Sequence, residues 1–348
     1  MSGTLRFAAA FAVGLLVMAG GAVADPVEDF YKDKRITLVV GYDAGSPFDV
    51  YARLLARHMG RHIPGTPGFV VQNMPGAGSL TATNHLFNAA PRDGSVFGNF
   101  HGNMGIEPKV EGKGSRYDGR EFTWIGSMAK QTLVCVTWGS TGLKTVEDLR
   151  ARTVLAGSSG GPAGSASIFP RVMNSLLGTK FRLISGYTDN DLDLALERGE
   201  VESRCGLGWA SLKATKPEWI AKGLILTPVV LSLKTHPELP HVPVIMDFVK
   251  DEANRQALEV MFTPQEAGRP FAGPPQIPAD RASALRRGFD RAMKDPALIA
   301  EAERSNIEVD PIAGEEIEVM LKRLYGLPDD VFKRVASFRQ PVSGEQNK

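Results

Sequence analysis

The sequence VVQNMPGAGSLTATNHLF, residues 70–87, places an apolar strand-like run, a glycine-containing turn and a helix-like segment in direct succession. The apolar run ends at Pro75, and the turn continues as GAGS, residues 76–79. Glycine lets the backbone turn sharply and approach a ligand closely, and the first N–H groups of a helix are free to bind an anion. The stretch therefore predicts a strand–turn–helix junction that can hold an anion.

Two further junctions of this kind occur in the chain. The first turn is residues 41–47, at the end of the run RITLVVGY, and the third turn is residues 157–165, at the end of TVLAGS. The turn quoted above, residues 75–79, is the second of the three. A lone junction is usually only a chain connection, but such turns meet at the carboxyl edge of a parallel sheet, where ligands bind. None of the three turns contains Lys or Arg, so we expect backbone amides and serine hydroxyls to hold the anion.

Strand-like and helix-like segments alternate along the chain, which predicts an α/β fold with mostly parallel sheets flanked by helices. The alternation stops where FTWIGSMA and QTLVCVTW follow each other without a long helix, and it restarts near residue 145. We therefore predict two lobes, residues 25–128 plus 234–348 and residues 129–233. The first two turns then line one wall of a cleft between the lobes, and the third turn lines the facing wall.

The N-terminus has the pattern of a secretory signal peptide. Arg6 precedes an uncharged, almost wholly apolar run, and Ala22-Val23-Ala24 then gives the small-residue pattern that a signal peptidase cleaves. We predict removal of residues 1–24 and an exported, soluble mature protein. A single membrane anchor is the alternative, since the apolar run is nearly long enough to span a bilayer.

Composition excludes several classes of function. The chain carries 40 Lys and Arg against 39 Asp and Glu, and no basic stripe alternates with aromatic residues, so we expect no nucleic-acid partner. The two cysteines, Cys135 and Cys205, are too few for a disulfide-rich scaffold or a cysteine metal cluster. They lie in the strand-like runs TLVCVTW and VESRCGL, and they form a disulfide only if those strands are neighbours.

The third turn also fits a catalytic motif. Its segment GSSGG, residues 157–161, matches G-x-S-x-G between a strand and a helix, which makes Ser159 a candidate nucleophile of a serine hydrolase. His236 and His241 follow later in the chain, in the order that a catalytic triad requires. Both histidines stand in a proline-rich connection, and glycine and serine are abundant around Ser159, so a chance match is easy.

Two other motifs are weaker. Thr81 stands where a dinucleotide-binding fingerprint needs its third glycine, so we expect no nucleotide cofactor. His58 and His62 are spaced i, i+4 on a helix and could share a metal, but no acidic residue stands in the H-E-x-x-H position. We expect both on the last turn of the helix, where a positive group suits the helix dipole, and we expect no metal.

The stretch ITLVVGYDAGSPFDVYARLLARHMGRHIPGTPGFVVQNMPGAGSLTATNHLFNAAPRDGSVFG, residues 36–98, resembles the N-terminal half of the solute receptors of the tripartite tricarboxylate transporter family, the TctC or Bug proteins. QNMPGAGS and APRDGSVFG carry the most specific part of this resemblance. HPELPHVPVIMDFV and PPQIPADRASALRRGFDRAMKDPALIAEA resemble the C-terminal half of the same proteins. The resemblance therefore covers nearly the whole mature chain.

The resemblance implies a periplasmic receptor with two α/β lobes joined by crossing strands. Such receptors close on a small carboxylate and deliver it to a membrane permease. It implies no enzymatic activity and no cofactor, and we expect a monomer. Docking on a signalling partner instead of a permease is the alternative role. The family holds the carboxylate mostly through backbone amides and small hydroxyls, in agreement with turns that lack cations.

Carried over to this sequence, the resemblance assigns ligand-binding positions in both lobes. In the first lobe they are Tyr42, Ala44, Gly45, Ser46, Phe48, Asp49, Gly76, Ala77, Gly78 and Ser79. In the second lobe they are Ser158, Ser159, Ser165, Tyr187, Asp189, Gly206 and Trp209. His101, after the third strand of the first lobe, either hydrogen-bonds the ligand or is an ordinary strand-end histidine.

The first turn departs from the family pattern, which commonly reads Pro-Ala-Gly-Gly before its Asp. Here Asp43 replaces the proline, and Ser46, Pro47 and Phe48 fill the approach to Asp49. A carboxylate near the mouth repels a polyanion, so these changes favour an amino acid or an aromatic acid over citrate. Asp49 either preorganises the turn by capping the helix that follows or hydrogen-bonds a ligand ammonium.

The fold that the resemblance implies also bears on the cysteines. In that fold, the strand that enters the second lobe commonly lies beside the strand after the second crossover helix of that lobe. These are the segments that carry Cys135 and Cys205. We therefore predict a disulfide between them, and two buried free thiols are the alternative.

Overall fold

The computed structural model describes residues 25–159, 164–340 and 346–347, which form two six-stranded sheets flanked by helices. The predicted signal peptide and residues 160–163 of the third turn lie outside the described residues. In chain order the strands are β1 (Arg35–Val40), β2 (Gly68–Asn73), β3 (Val96–Asn99), β4 (Thr123–Ser127), β5 (Leu133–Trp138), β6 (Val154–Ser159), β7 (Phe181–Tyr187), β8 (Ser203–Gly208), β9 (Ile225–Leu231), β10 (Pro270–Gly273), β11 (Ile312–Ala313) and β12 (Gln346–Asn347). The helices are α1 (Pro26–Tyr31), α2 (Pro47–His58), α3 (Leu80–Asn88), α4 (Glu107–Val110), α5 (Val146–Ala151), α6 (Ser165–Leu177), α7 (Asp189–Glu197), α8 (Trp209–Thr215), α9 (Pro217–Ala221), α10 (Glu252–Glu266), α11 (Ala279–Ala292), α12 (Pro296–Arg304), α13 (Gly314–Tyr325) and α14 (Asp329–Arg339).

The first sheet has the strand order β11-β4-β10-β3-β1-β2. β1 pairs in parallel with β2 and β3, and Val40 at its end lies opposite Asn73 and Asn99, the last residues of those strands. The carboxyl ends of three parallel strands therefore meet at one edge, which places the first and second turns side by side. β10 returns from the C-terminal half and lies antiparallel between β3 and β4.

The second sheet has the strand order β12-β7-β6-β8-β5-β9. β6 pairs in parallel with β7 and β8, whereas β5 lies antiparallel between β8 and β9. The predicted two-lobe α/β fold is confirmed, with the difference that both sheets are mixed. Parallel neighbouring strands need a crossover connection, usually a helix. β5 follows β4 with no helix between them, and it is antiparallel to both of its neighbours in the second sheet.

The strands divide between the two sheets largely at the predicted lobe boundaries. β1–β4, β10 and β11 fall within residues 25–128 and 234–348, and β5–β9 fall within residues 129–233. β12 is the difference, because it pairs with β7 of the second sheet. We keep the lobe boundaries as a proposal and add β12 to the second lobe.

The C-terminal half of the chain also packs onto the second lobe. Phe169 of α6 stacks on Phe262 of α10, with ring centroids 5.6 Å apart, and α14 contacts α4, α6 and α10. Both rings are buried, and aromatic pairs stabilise beyond the burial of their area. A separate apolar cluster joins β1 and β3 to α2 through Leu38, Leu54 and Phe97. Among the described helices, none is long and apolar enough to cross a membrane.

Cys135 and Cys205 lie opposite each other on the neighbouring strands β5 and β8. The structure joins them by a disulfide bond, with their Cα atoms 3.8 Å apart. Both side chains are buried. The bond links the strand by which the chain enters the second lobe to the strand that follows α7, which is the pairing that the resemblance implies.

Candidate functional site

A cavity of about 360 Å³ lies between the two lobes, and we call it the interlobe cavity. Residues that follow β1, β2 and β3 form its first-lobe wall, among them Tyr42, Ala77, Gly78, His101 and Asn103. Leu133 of β5 and the start of α6 form its second-lobe wall, which includes Ser165, Ile168 and Phe169. α10 and α14 close it with Val260, Met261, Gln265, Val335 and Arg339. The structure therefore brings together five predicted positions, namely Tyr42, Ala77, Gly78, His101 and Ser165.

The Asp49 carboxylate organises the first turn. It accepts hydrogen bonds from Arg53 Nε at 2.8 Å, from the Gly45 N–H at 2.8 Å and from Asn73 Nδ2 at 2.9 Å. Burial raises the pKa of this carboxyl, but the three hydrogen bonds outweigh burial and hold the pKa of Asp49 below its usual value. Asp49 thus preorganises the turn, while Ser46 is the cap of α2 and accepts the Asp49 N–H at 3.3 Å.

Two aromatic rings of the first turn stack beside the cavity. The ring centroids of Tyr42 and Phe48 are 4.3 Å apart, and the ring planes lie within 12° of each other. The Arg269 guanidinium lies over the Phe48 ring, 4.6 Å from its centroid. Phe48 is buried and contacts both Tyr42 and Arg269. Ala44, also a predicted ligand position, is exposed.

The second turn has a rare backbone conformation. Gly76, Ala77, Gly78 and Ser79 have φ angles of 142°, 47°, 62° and 78°. Positive φ is unfavourable for residues with a side chain, so Ala77 and Ser79 are strained. Such strain persists where the surrounding structure fixes the backbone, often at ligand sites. Ala77 and Gly78 are exposed and line the interlobe cavity.

The side chain of His101 is a neutral hydrogen-bond donor. Its Nδ1 accepts the Asn103 N–H at 3.2 Å, which leaves the ring proton on Nε2. Burial, together with the charges of Arg269 and Arg339, lowers the pKa of His101 to about 4. The ring lines the interlobe cavity. At neutral pH it therefore offers a donor to a ligand without adding a positive charge.

In the second lobe, Ser165 reaches the cavity. It is exposed, begins α6 and lines the interlobe cavity, where the helix presents the positive end of its dipole. Gly206 lies beneath Ser165 and has a φ angle of 77°. A Cβ atom on Gly206 would come 2.7 Å from the Ser165 Cβ atom. The predicted position Gly206 thus lets the start of α6 pack closely on β8.

Four further predicted ligand positions lie at or just after the ends of β6 and β7, namely Ser158, Ser159, Tyr187 and Asp189. Ser158 is buried, and its Oγ is hydrogen-bonded to Ser167 Oγ of α6. Ser159 and Tyr187 are buried and lie opposite each other on the paired strands. Asp189 begins α7, and its side chain lies outside the described part of the structure.

Trp209 lines a second, smaller cavity, which it shares with Arg269 and His236. Its indole Nε1 donates to Glu238 at 2.6 Å, and this hydrogen bond turns the ring toward the smaller cavity. His241 lines a further cavity. Trp209 is predicted to contact the ligand, but it lines a different cavity from the interlobe one. The same is true of His236 and His241, the two histidines considered as hydrolytic bases.

The two histidines considered as metal ligands each have a carboxylate partner. His58 ends α2 and its Nε2 lies 2.6 Å from Glu301, whereas His62 ends the following 3₁₀ turn and its Nε2 lies 2.8 Å from Asp295. Within the described residues, no group of three or more His, Cys, Asp or Glu side chains could hold a metal ion.

Sequence reasoning missed an ion pair in the cavity wall. Arg339, at the end of α14, donates to Glu107, the first residue of α4, with Nη1–Oε1 at 2.9 Å and Nη2–Oε2 at 3.1 Å. Both side chains line the interlobe cavity. The two residues are 232 positions apart, and neither stands in a glycine-rich turn, so no local pattern points to them. The three turns contain no Lys or Arg, but the cavity wall contains Arg339.

Arg269, just before β10, is a second cation that sequence reasoning missed. Its Nη1 donates to the Gly268 carbonyl at 2.7 Å, and its guanidinium lies 5.3 Å from the centroid of the Tyr51 ring. Its Nε is buried and has no hydrogen-bond partner among the described residues. Burial lowers the pKa of Arg269 below its usual value.

No protein-family model matches the chain. A UPF0065 protein of Agrobacterium vitis is 24% identical to it over 288 residues, which cover 78% of this chain and 75% of that protein.

Solved structures match the fold over most of the chain. A TctC solute-binding protein from Polaromonas superposes with a TM-score of 0.69 at 18% identity, over 88% of this chain and 99% of that one. An R. palustris protein with adipate gives 0.61 at 17% identity, over 88% and 97%. The periplasmic binding protein BugD gives 0.58 at 18% identity, over 91% and 100%. The chain therefore has the two-lobe α/β fold of the TctC and Bug-type periplasmic solute-binding proteins.

Proposed function

We propose that this protein is a periplasmic solute receptor that binds a small carboxylate in the interlobe cavity. The observation that carries the proposal is the cavity of about 360 Å³, whose walls come from both lobes. Pockets for small molecules commonly measure roughly 300–1,000 Å³, so this volume suits an organic acid, an amino acid or an aromatic acid. The adipate named with the R. palustris structure is a ligand of this class.

Neutral donors on both walls hold the carboxylate. The first-lobe wall supplies the backbone amides of Ala77 and Gly78 and the Nε2–H of His101, and the second-lobe wall supplies the Ser165 hydroxyl. Hydrogen bonds to a charged group contribute roughly 1.5–3 kcal/mol each, and micromolar affinity requires about 8 kcal/mol. Four such bonds are enough for micromolar binding, even though ordering the ligand opposes it.

Ligand binding favours the closed arrangement of the lobes. A ligand shifts a conformational equilibrium only by its difference in affinity for the two states, and here the ligand contacts both lobes only when they are closed. The closed receptor then delivers its ligand to a membrane permease of the tripartite tricarboxylate type. In this account the protein is exported by its signal peptide, which is cleaved after Ala24, and acts in the periplasm as a monomer.

The ligand is held and is not transformed. A serine hydrolase needs a base beside Ser159, and the two histidines considered for that role, His236 and His241, line other cavities. The cavity histidine, His101, accepts a backbone N–H at Nδ1 and carries its proton on Nε2. It therefore faces a ligand as a hydrogen-bond donor and not as a base.

Thermal unfolding of the mature protein, residues 25–348, tests this proposal. The panel holds mono-, di- and tricarboxylates, amino acids and aromatic acids, with a generic ester to detect hydrolysis. A ligand at 100 times its Kd adds about 2.7 kcal/mol to the free energy of unfolding, which raises the midpoint by several degrees. We expect at least one carboxylate to raise the midpoint and to be recovered unchanged. The absence of any stabilising carboxylate, or ester hydrolysis that Ser159→Ala abolishes, contradicts the proposal.

A further inference from the structure

The charged side chains at the interlobe cavity differ in whether they have a carboxylate partner. Arg339 is neutralised by Glu107 through its two guanidinium nitrogens, and His101 is neutral at pH 7 because its pKa is lowered to about 4. Arg269 has no carboxylate within 4.0 Å among the described residues, and the groups that act on its charge are the phenols of Tyr42 and Tyr51. Arg269 is therefore a positive charge beside the cavity that no carboxylate of the described residues neutralises.

Arg269 lies one layer of side chains behind the cavity wall. Its guanidinium is 4.6 Å from the Phe48 ring centroid, the Phe48 ring stacks on Tyr42 at 4.3 Å, and Tyr42 lines the cavity. Gln131 lines both the interlobe cavity and the smaller cavity that contains Arg269. Because a protein interior screens charges less than water does, Arg269 acts across this layer on any ion in the cavity.

A partly buried charge without a carboxylate partner is less favourable than one in water. Burial lowers the pKa of Arg269, and its buried Nε has no hydrogen-bond partner among the described residues. An anion bound in the cavity offsets part of this unfavourable energy. Arg269 therefore favours the binding of a ligand that carries one negative charge.

Among the described residues that line the cavity, no unpaired cation is available to balance a second negative charge. Much of the cavity wall is apolar, and its apolar side chains include Leu133, Ile168, Phe169, Val260, Met261 and Val335. A carboxylate placed against this wall loses its hydration without gaining a partner. The remaining charged group, Arg339, is already paired with Glu107, whose carboxylate repels a second one.

We propose that the interlobe cavity selects a monocarboxylate with an apolar body, and that Arg269 is the specificity-determining residue whose charge the single carboxylate balances. This inference rests on the proposed function, since it names the class of carboxylate that the receptor takes. It predicts discrimination between ligands that share one body and differ only in the number of charges.

Isothermal titration calorimetry of the mature protein with matched ligand pairs tests the inference. Hexanoate and adipate share a six-carbon chain, and benzoate and terephthalate share an aromatic ring. We expect the monocarboxylate of at least one pair to bind, with a Kd at least tenfold lower than that of its dicarboxylate partner. The inference is overturned if the dicarboxylate binds as tightly in each pair, or if the tightest ligand of the wider panel carries two or more negative charges. Such results leave the receptor proposal intact, whereas a panel without any carboxylate ligand overturns both.

Two substitutions of Arg269 separate its charge from its packing. Arg269→Gln should raise the Kd of the monocarboxylate at least tenfold, and Arg269→Lys, which keeps the charge, should remain within a few-fold of the wild type. The ligand-free unfolding midpoint of each variant measures how much the packing of Arg269 on Phe48 and Tyr51 contributes to stability, apart from its effect on the Kd. An unchanged Kd in Arg269→Gln overturns the role of this residue.

Glu107→Gln gives an independent test that does not depend on the folding of the Arg269 variants. It removes the bidentate carboxylate partner of Arg339 and leaves the longer contact with Glu111, at 3.7 Å, so the cavity gains one positive charge. We expect the ratio of dicarboxylate to monocarboxylate affinity to rise at least tenfold over the wild type in the same calorimetric titrations. An unchanged ratio overturns the charge-balance inference.

Discussion

The Ser79 hydroxyl accepts the backbone N–H of His101 at 3.0 Å and thereby joins the second turn to the end of β3. Ser79 is fully buried, and a Cβ atom on Gly41 would come 2.5 Å from the Ser79 Cβ atom. The ends of β1, β2 and β3 are therefore packed closely around this hydroxyl. This hydrogen bond fixes the second turn relative to the end of β3, and Ala77, Gly78 and His101 of these two segments line the interlobe cavity.

Ser79→Ala should weaken both stability and ligand binding. It keeps a Cβ atom at a φ angle of 78°, so the backbone strain is unchanged while the hydrogen bond is lost. A buried unpaired N–H costs about 1–3 kcal/mol of unfolding free energy, which urea unfolding measures, and we expect the Kd of the carboxylate to rise roughly tenfold. Ser337→Ala, at an exposed hydroxyl, is the control. Equal stabilities of the two variants would contradict this role of Ser79.

Asp49→Asn should loosen the first turn, because an amide donor then replaces either Oδ2, which accepts from Gly45 and Arg53, or Oδ1, which accepts from Asn73. We expect a loss of about 1–3 kcal/mol at pH 7, whereas Asp43→Asn, at an exposed neighbour, stays within about 0.5 kcal/mol of the wild type. The folded-state pKa of Asp49 lies below its usual value. Its contribution is therefore present above the unfolded pKa and is lost as the pH falls through the folded pKa.

The pH dependence distinguishes this account of Asp49 from a purely steric effect of the substitution. The difference in unfolding free energy between the wild type and Asp49→Asn should shrink when urea unfolding is repeated well below pH 4. A difference that is the same in acid and at pH 7 would count against a role for the Asp49 charge.

Because the pKa of His101 is lowered, we expect the protein to lose stability in mild acid. The pKa of His101 is about 4 in the folded protein, whereas the pKa of an unperturbed histidine is 6.5. Between these values the unfolded chain binds more protons than the folded one, so stability is complete above pH 6.5 and falls as the pH decreases toward 4. The loss is roughly 3 kcal/mol at most. The wild type should lose more unfolding free energy than His101→Gln between pH 7 and 4.5, and parallel pH profiles would refute this.

The disulfide should stabilise the second lobe. Its cysteines are 70 residues apart, and removing a bond that closes a long loop costs roughly 2–5 kcal/mol. A reductant should lower the unfolding midpoint of the wild type and leave that of Cys135→Ala/Cys205→Ala unchanged. Peptide mass spectrometry without reduction should recover the Cys135–Cys205 pair, and two free thiols in the exported protein would disprove the bond.

The parts of the fold that depend on local pattern could be predicted from the sequence. β1 with α2, β2 with α3 and β6 with α6 each follow from an apolar run that ends in a glycine-rich turn. The direction of β5 could not be predicted in this way. It depends on how the chain crosses between the lobes, and no periodicity within the strand records that crossing.

The sequence predicts only those residues of the candidate site that stand in the turns after parallel strands. Ala77, Gly78 and Ser165 stand in turns that parallel strands bring to one edge, so their pattern indicates their place. Arg339 and Glu107 meet only because α14 packs against α4, and a contact across 232 positions leaves no local signal. The orientation of Trp209 is set by Glu238, a partner from a distant segment.

A crystal structure of the mature protein with the carboxylate that most raises its unfolding midpoint tests the binding account. We predict carboxylate oxygens within hydrogen-bonding distance of the Ala77 or Gly78 N–H and of the Ser165 hydroxyl, with the body of the ligand against Phe169 and Val260. A ligand bound outside the interlobe cavity, or in contact with one lobe only, would contradict the account.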